Sequence, residues 1–161
     1  MNKATISFEY EVYESTAELN AADALLADAA RSITEKAYAP YSNFLVGAVA
    51  RLINGETVSG TNQENASYPV GICAERVLLG VASVLHNNVP IETMAISYNN
   101  LNGVSDNPVS PCGMCRQALK EYEDRTGKSI RLLLTGMTGK VFVIEKSNQL
   151  LPFSFGGENM K

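Results

Sequence analysis

Between Ile6 and Val12 the chain alternates. Ile6, Phe8, Tyr10 and Val12 stand against Ser7, Glu9 and Glu11, which predicts an N-terminal strand with one buried face. The period changes after Asn20, which suits an N-cap. Ala22, Leu25, Leu26, Ala29, Ala30, Ile33 and Ala37 then recur at helical spacing, with Asp23, Asp28, Arg31 and Glu35 turned away. Ala39-Pro40 ends that helix. Phe44 to Ile53 reads as a strand, Asn54-Gly55 as a hairpin turn and Glu56 to Gly60 as the returning strand.

A second helix is expected from near Cys73, burying Ala74, Val77, Leu78, Val81, Ala82 and Leu85. Ile91 to Tyr98 predicts a further strand, followed by a polar loop from Asn99 to Val109. A third helix should run from about Cys112 to Asp124, stopped by Gly127. Two last strands, Ile130 to Thr135 and Lys140 to Glu145, flank a glycine-containing turn. Strands and helices interleaved in this way predict an α/β protein. The expectation is a single three-layer α/β/α domain over residues 1–161, with a central mixed sheet of about five strands. Residues 1–17 form a strand-like extension ahead of it.

Composition narrows the function. The 161 residues are 45% apolar and 19% charged, an ordinary core-forming balance. Seventeen acids against thirteen Lys and Arg leave a net charge of −4, opposite to what a nucleic-acid or anionic-membrane partner selects. No stretch approaches the roughly 20 apolar residues of a membrane span. Three cysteines are an odd number for a disulfide framework. With no export signal at the start, the expectation is a cytoplasmic protein with reduced thiols.

Those cysteines lie in Cys73-Ala74-Glu75-Arg76 and Pro111-Cys112-Gly113-Met114-Cys115. Residues i and i+3 of a helical turn point the same way, so Cys112 and Cys115 can reach one ion and Cys73 can supply a third sulfur. A Cys-x-x-Cys pair alone also reads as a redox dithiol. Three ligands with one tetrahedral position open are the pattern of a catalytic zinc. Helix N-termini favour the thiolate form. Three thiolates overcompensate a divalent cation, and Arg76 is placed to offset this by hydrogen bonding to the sulfurs. Glu75, two residues after Cys73, can share the pocket without ligating, and can take a proton from water activated there.

Zinc deaminases carry His or Cys, a Glu two residues on, and then Pro-Cys-x-x-Cys. The chain resembles the cytidine deaminases, the small nucleoside branch of that group. The likeness covers Tyr41-Ser42-Asn43-Phe44-Leu45-Val46-Gly47-Ala48, Gly60-Thr61-Asn62-Gln63-Glu64-Asn65-Ala66 and Tyr68-Pro69-Val70-Gly71-Ile72 running into Cys73. It continues through Ser110 to Gln117 and ends in Leu150-Leu151-Pro152-Phe153-Ser154-Phe155; residues 1 to about 17 lie outside it.

The resemblance implies a cytidine deaminase-like fold and one zinc per subunit on Cys73, Cys112 and Cys115. It implies Glu75 as proton shuttle, with Asn62 and Glu64 on the ribose hydroxyls, and Phe44 and Ala74 beside the base. Tyr68 and Phe155 match positions that reach a neighbouring subunit's pocket, which implies a homotetramer. The reaction implied is hydrolytic deamination of cytidine and deoxycytidine to uridine and deoxyuridine, with ammonia released, as in pyrimidine salvage. Two positions depart from the family: Val77-Leu78 stands where Thr-Ala is usual, and Thr61 where many members have Cys. The ribose segment Asn62 to Ala66 has no Lys or Arg for a phosphate, so a free nucleoside is favoured over a nucleotide. Deamination of an aminonucleoside antibiotic, and a zinc-stabilised assembly module without catalysis, are the competing readings.

Overall fold

The computed structural model describes residues 1–160. Six strands form one sheet in the order β1-β6-β5-β4-β2-β3. They are β1 (Glu11–Tyr13), β2 (Phe44–Leu52), β3 (Thr57–Thr61), β4 (Ile91–Asn100), β5 (Arg131–Thr135) and β6 (Val141–Ile144). Only β4 and β5 run parallel; every other pairing is antiparallel. Three helices cover the two faces: α1 (Ala21–Ile33) on one, α2 (Ala74–Leu85) and α3 (Gly113–Thr126) on the other. The mixed α/β architecture agrees with expectation, with six strands rather than five.

Local chemistry sets the element ends. Asn20 caps α1 by accepting from the Asp23 N–H at 3.0 Å. Gly127 closes α3 in the left-handed region at φ +70°. The larger core lies between the sheet and α2/α3, around Leu52, Leu78, Met94, Ile96, Leu119 and Leu132. The smaller one joins α1 to Val49, Ala95, Leu133 and Val143.

Three expectations are corrected. The N-terminal alternation becomes a strand only over Glu11–Tyr13, because β6, its partner, is four residues long. Helix α1 is rotated from the expected phase: Asp23 is buried while Leu25 and Ala29 face out. The Asp23 carboxylate is held at 2.8 Å by Arg131 and at 4.0 Å by Arg51, so a paired charge takes the inner position. On α2, Leu85 is exposed and Leu79 is buried in its place.

Two glycines let the helices approach the sheet. A Cβ on Gly47 of β2 would stand 2.4 Å from the Ala30 carbonyl oxygen of α1. A Cβ on Gly60 of β3 would stand 2.5 Å from both the Ala74 oxygen and the Leu78 nitrogen of α2. The first turn of α2 therefore lies directly on the strand. Among the described residues no helix is long and apolar enough to cross a membrane.

Candidate active site

Cys73 and Cys112 are the N-caps of α2 and α3, and neither side chain makes a capping hydrogen bond to its helix backbone. Their sulfurs are thus left to face each other across the two helix starts. Cys73 Sγ lies 3.7 Å from Cys112 Sγ, which lies 3.4 Å from Cys115 Sγ in the first turn of α3. All three sulfurs fall within 4.8 Å of one another. Tetrahedral zinc with Zn–S bonds of about 2.3 Å would hold its sulfurs about 3.8 Å apart, so the trio fits that ion. Cys115 is buried, Cys73 half-buried and Cys112 exposed, which leaves the cluster open on one side.

That open side meets a cavity of about 350 Å³ whose walls include Phe44, Asn62, Cys73, Glu75, Ile96 and Cys112. Glu75 is 4% exposed and takes part in no ion pair among the described residues. Burial pushes its carboxyl above the usual range, against hydrogen bonds from its own N–H and from Cys115. Within the trio, the hydrogen bond from Cys115 brings the Cys73 thiol down to about 6. The same bond pushes Cys115 up. Sulfurs this close oppose one another's ionisation, and a cation placed among them would remove the conflict.

Residues 20–128 match the family profile described as the cytidine and deoxycytidylate deaminase zinc-binding region. The chain belongs to this deaminase family. It is 37% identical over 128 residues to the cytidine deaminase of Halalkalibacterium halodurans, covering 78% of this chain and 88% of that one. With the cytidine deaminase of Sporosarcina psychrophila it shares 35% over 130 residues, 78% of this chain and 85% of the relative. The crystal structure of the Burkholderia pseudomallei cytidine deaminase superposes with a TM-score of 0.71 at 38% identity. It spans 81% of this chain and 97% of that chain.

Of the deaminase residues expected from sequence, Cys73, Cys112, Glu75, Phe44 and Asn62 line the one cavity, and the buried Cys115 sulfur lies within 4.8 Å of the other two. Phe44 stacks on Tyr98 at 4.8 Å with the rings 12° apart, giving a flat aromatic wall. The Asn62 side chain is engaged with β2: its Oδ1 accepts from the Val46 N–H at 2.7 Å and its Nδ2 donates to the Phe44 oxygen at 2.9 Å. Glu64 lines a second cavity of about 290 Å³ with Tyr41, Ser42 and Tyr68. It accepts from the Tyr41 and Ser42 N–H groups at 2.9 and 3.3 Å, and the Ser42 hydroxyl holds its carboxyl below the usual range.

The remaining expected residues stand apart from the Glu75 cavity. Ala74 is packed into the core beneath it. Tyr68 and Phe155 are 75% and 58% exposed, and neither is among the walls of the Glu75 cavity. Arg76 makes no hydrogen bond to the sulfurs, although its charge helps to lower Cys73. At the two departures from the family, Leu78 is fully buried in the core, and the Thr61 hydroxyl donates to the Lys36 oxygen at 3.3 Å.

Two functional residues were not singled out from sequence. Arg116 donates from Nε to the Pro111 oxygen at 2.8 Å and from Nη1 to the Leu150 oxygen at 3.0 Å, and so clamps the residue before Cys112 to the C-terminal segment. Gly60 seats α2. Both stand in family-like blocks of sequence, but their partners are backbone atoms far along the chain, which residue types do not announce.

Proposed function

We propose that this chain is a zinc-dependent hydrolase that deaminates cytidine and deoxycytidine to uridine and deoxyuridine, releasing ammonia. The observation that carries it is a trio of sulfurs at zinc spacing on the wall of a cavity that also holds a buried, unpaired carboxylate. Cys73, Cys112 and Cys115 would hold the metal, which supplies Lewis acidity and so makes water a nucleophile at neutral pH. Glu75 moves the proton. With its affinity raised by burial, its carboxylate accepts a proton from water, passes it to N3 of the base as C4 is attacked, and then assists the departing amine.

Phe44, supported by Tyr98, supplies a face for the pyrimidine. Glu64, kept ionised by its hydrogen bonds, suits a ribose hydroxyl donor. No Lys or Arg is among the walls of either cavity, which favours a substrate without phosphate. Residues 1–161 are read as one catalytic domain. The outward Tyr68 and Phe155 are read as completing a neighbour's site in a homotetramer. A ligand set of three free thiols requires a reducing compartment such as the cytoplasm.

The test is loss of the cytidine chromophore, followed with and without a chelator. Turnover that falls with zinc removal and returns with zinc is expected. Glu75→Gln should keep zinc while turnover drops by about 10³-fold or more. A zinc-loaded chain that leaves cytidine unchanged would overturn the reading; conversion of an aminonucleoside antibiotic instead would reassign the substrate.

A further inference from the structure

The matched family region begins at residue 20, and the first nineteen residues lie outside it. In the β1–β6 register, Val12 stands opposite Phe142, and Phe142 packs on the core that also holds Leu150. Val12 therefore lies on the face of the sheet that carries α2 and α3. Tyr10, Phe8 and Ile6, the rest of the alternating stripe, reach the same side through their own contacts with Phe142 and the segment after β6. That face also carries a C-terminal strap, a 3-10 turn over Ser147–Leu150 continued by residues 151–156.

Arm and strap meet. Tyr10 sets its ring edge-on to Phe142 at 5.1 Å. Ile6 and Phe8 face Asn148, Gln149 and Pro152 across a crevice of about 150 Å³. The Gln149 Oε1 is buried without a hydrogen-bond partner, so hydrogen bonding from this side chain does not hold the stretch. The outer end of the strap is tied to α3 by Gln117, whose Nε2 donates to the Phe155 oxygen at 2.9 Å. Its inner end is tied by Arg116, which bridges Leu150 to Pro111, the residue before Cys112. A mechanical path thus runs from Phe8, through the strap and Arg116, to the backbone that presents a metal-ligating sulfur.

We propose that residues 1–13 are a positioning arm that braces this strap and, through Arg116, steadies the Pro111–Cys112 backbone. The inference rests on the assignment of Cys112 as a zinc ligand made above. The stripe is 40% to 58% exposed, so its apolar contacts can be removed without opening the core.

The experiment compares the full chain with a deletion of residues 2–10 and with the Ile6→Ser/Phe8→Ser double variant. It reads amide hydrogen exchange and the rate at which zinc passes to a chelator. Exchange over 147–156 should rise about five-fold while β2, β4 and β5 are unchanged. Zinc release should quicken about three-fold. In an Arg116→Lys background, which keeps the charge but loses the fork, the deletion should add nothing to zinc release. Unchanged exchange in the strap, or an increase spread over every strand, overturns the arm. Faster strap exchange with unchanged zinc release overturns the path through Arg116. Neither readout uses turnover, so a chain that holds zinc without deaminating cytidine refutes the proposed activity separately.

Discussion

Replacing Gly60 by Ala puts one methyl group where the structure has backbone. The new Cβ would stand 2.5 Å from the Ala74 oxygen and from the Leu78 nitrogen, and 3.0 Å from the Leu78 Cα. An ordinary contact needs about 3.4 Å, and no side-chain rotation can supply it, since all three atoms belong to the α2 backbone. Strand and helix must separate by about 0.9 Å. Cys73 and Glu75 ride on that helix start, whereas Cys112 and Cys115 ride on α3. The shift therefore lands within the sulfur trio and at the Glu75 carboxylate. Overpacking of this kind costs about 1–3 kcal/mol of stability, and a misplacement near 1 Å costs about 10²-fold in rate. The assay is zinc per chain, kcat/KM on cytidine and urea unfolding, each beside Gly80→Ala. Gly80 lies on the same helix, where an added Cβ meets nothing within 4 Å, and the change should stabilise by up to about 1 kcal/mol. A Gly60→Ala protein with full zinc and kcat/KM within about two-fold of the parent would refute the view that this close approach sets the site.

Asn62→Ala should raise KM for cytidine by about ten-fold, by leaving the Val46 N–H and the Phe44 carbonyl unpaired. The same factor is expected with 2′,3′-dideoxycytidine; a loss confined to substrates bearing the hydroxyls would restore a direct sugar contact. Glu123 places Oε1 on the Ile130 N–H and the Ser147 hydroxyl at 2.7 and 2.8 Å, and its Oε2 is buried without a partner. Burial raises its carboxyl above the ordinary 4.5, so its contribution is full below pH 4.5 and is lost as pH rises through the folded-state value. Relative to the parent, Glu123→Gln should gain unfolding free energy between pH 4.5 and 7.5, and parallel pH profiles would refute this. Asp23→Ala should lower unfolding free energy by about 1.5–2 kcal/mol, since it removes a charged hydrogen bond to Arg131, which is a quarter exposed and keeps its pair with Glu145. A loss below about 0.5 kcal/mol by urea unfolding would show the pair to be unimportant.

What could be read from sequence is what is written locally. The caps at Asn20 and Gly127, the Asn54-Gly55 hairpin and the cysteine spacing all depend on neighbours within a few residues, and each stands in the structure as expected. The failures involve partners far along the chain. An alanine-rich α1 carries little information about its own rotation, and the charge that draws Asp23 inward comes from Arg131, 108 residues later. The alternation from Ile6 to Val12 is a true strand pattern, but its length was decided by the brevity of β6. At the site, the cysteine trio and the carboxylate beside it were legible because their chemistry is in the side chain. Arg116 and Gly60 were not, because what they contact is carbonyl and amide backbone.

The walls of the two cavities show how few parts serve two purposes. Asn62, at the exit from β3, fixes β2 at Phe44 and Val46. Glu64, two residues on, fixes the Tyr41 and Ser42 amides, and the Ser42 hydroxyl in turn accepts from the Phe44 N–H at 3.0 Å. Between them Asn43 sits in the left-handed region at φ +56°, a conformation that Asn tolerates better than most side chains. The segment from Tyr41 to Phe44 is therefore held from Asn62 and Glu64 at each step, and it ends in the ring that stacks on Tyr98. Two blocks that are separate in sequence act as one unit in space. Weakening either one moves the aromatic wall as well as the Glu64 carboxylate, so a fall in nucleoside affinity there reports on both. Only substrates trimmed at the sugar can divide the two contributions.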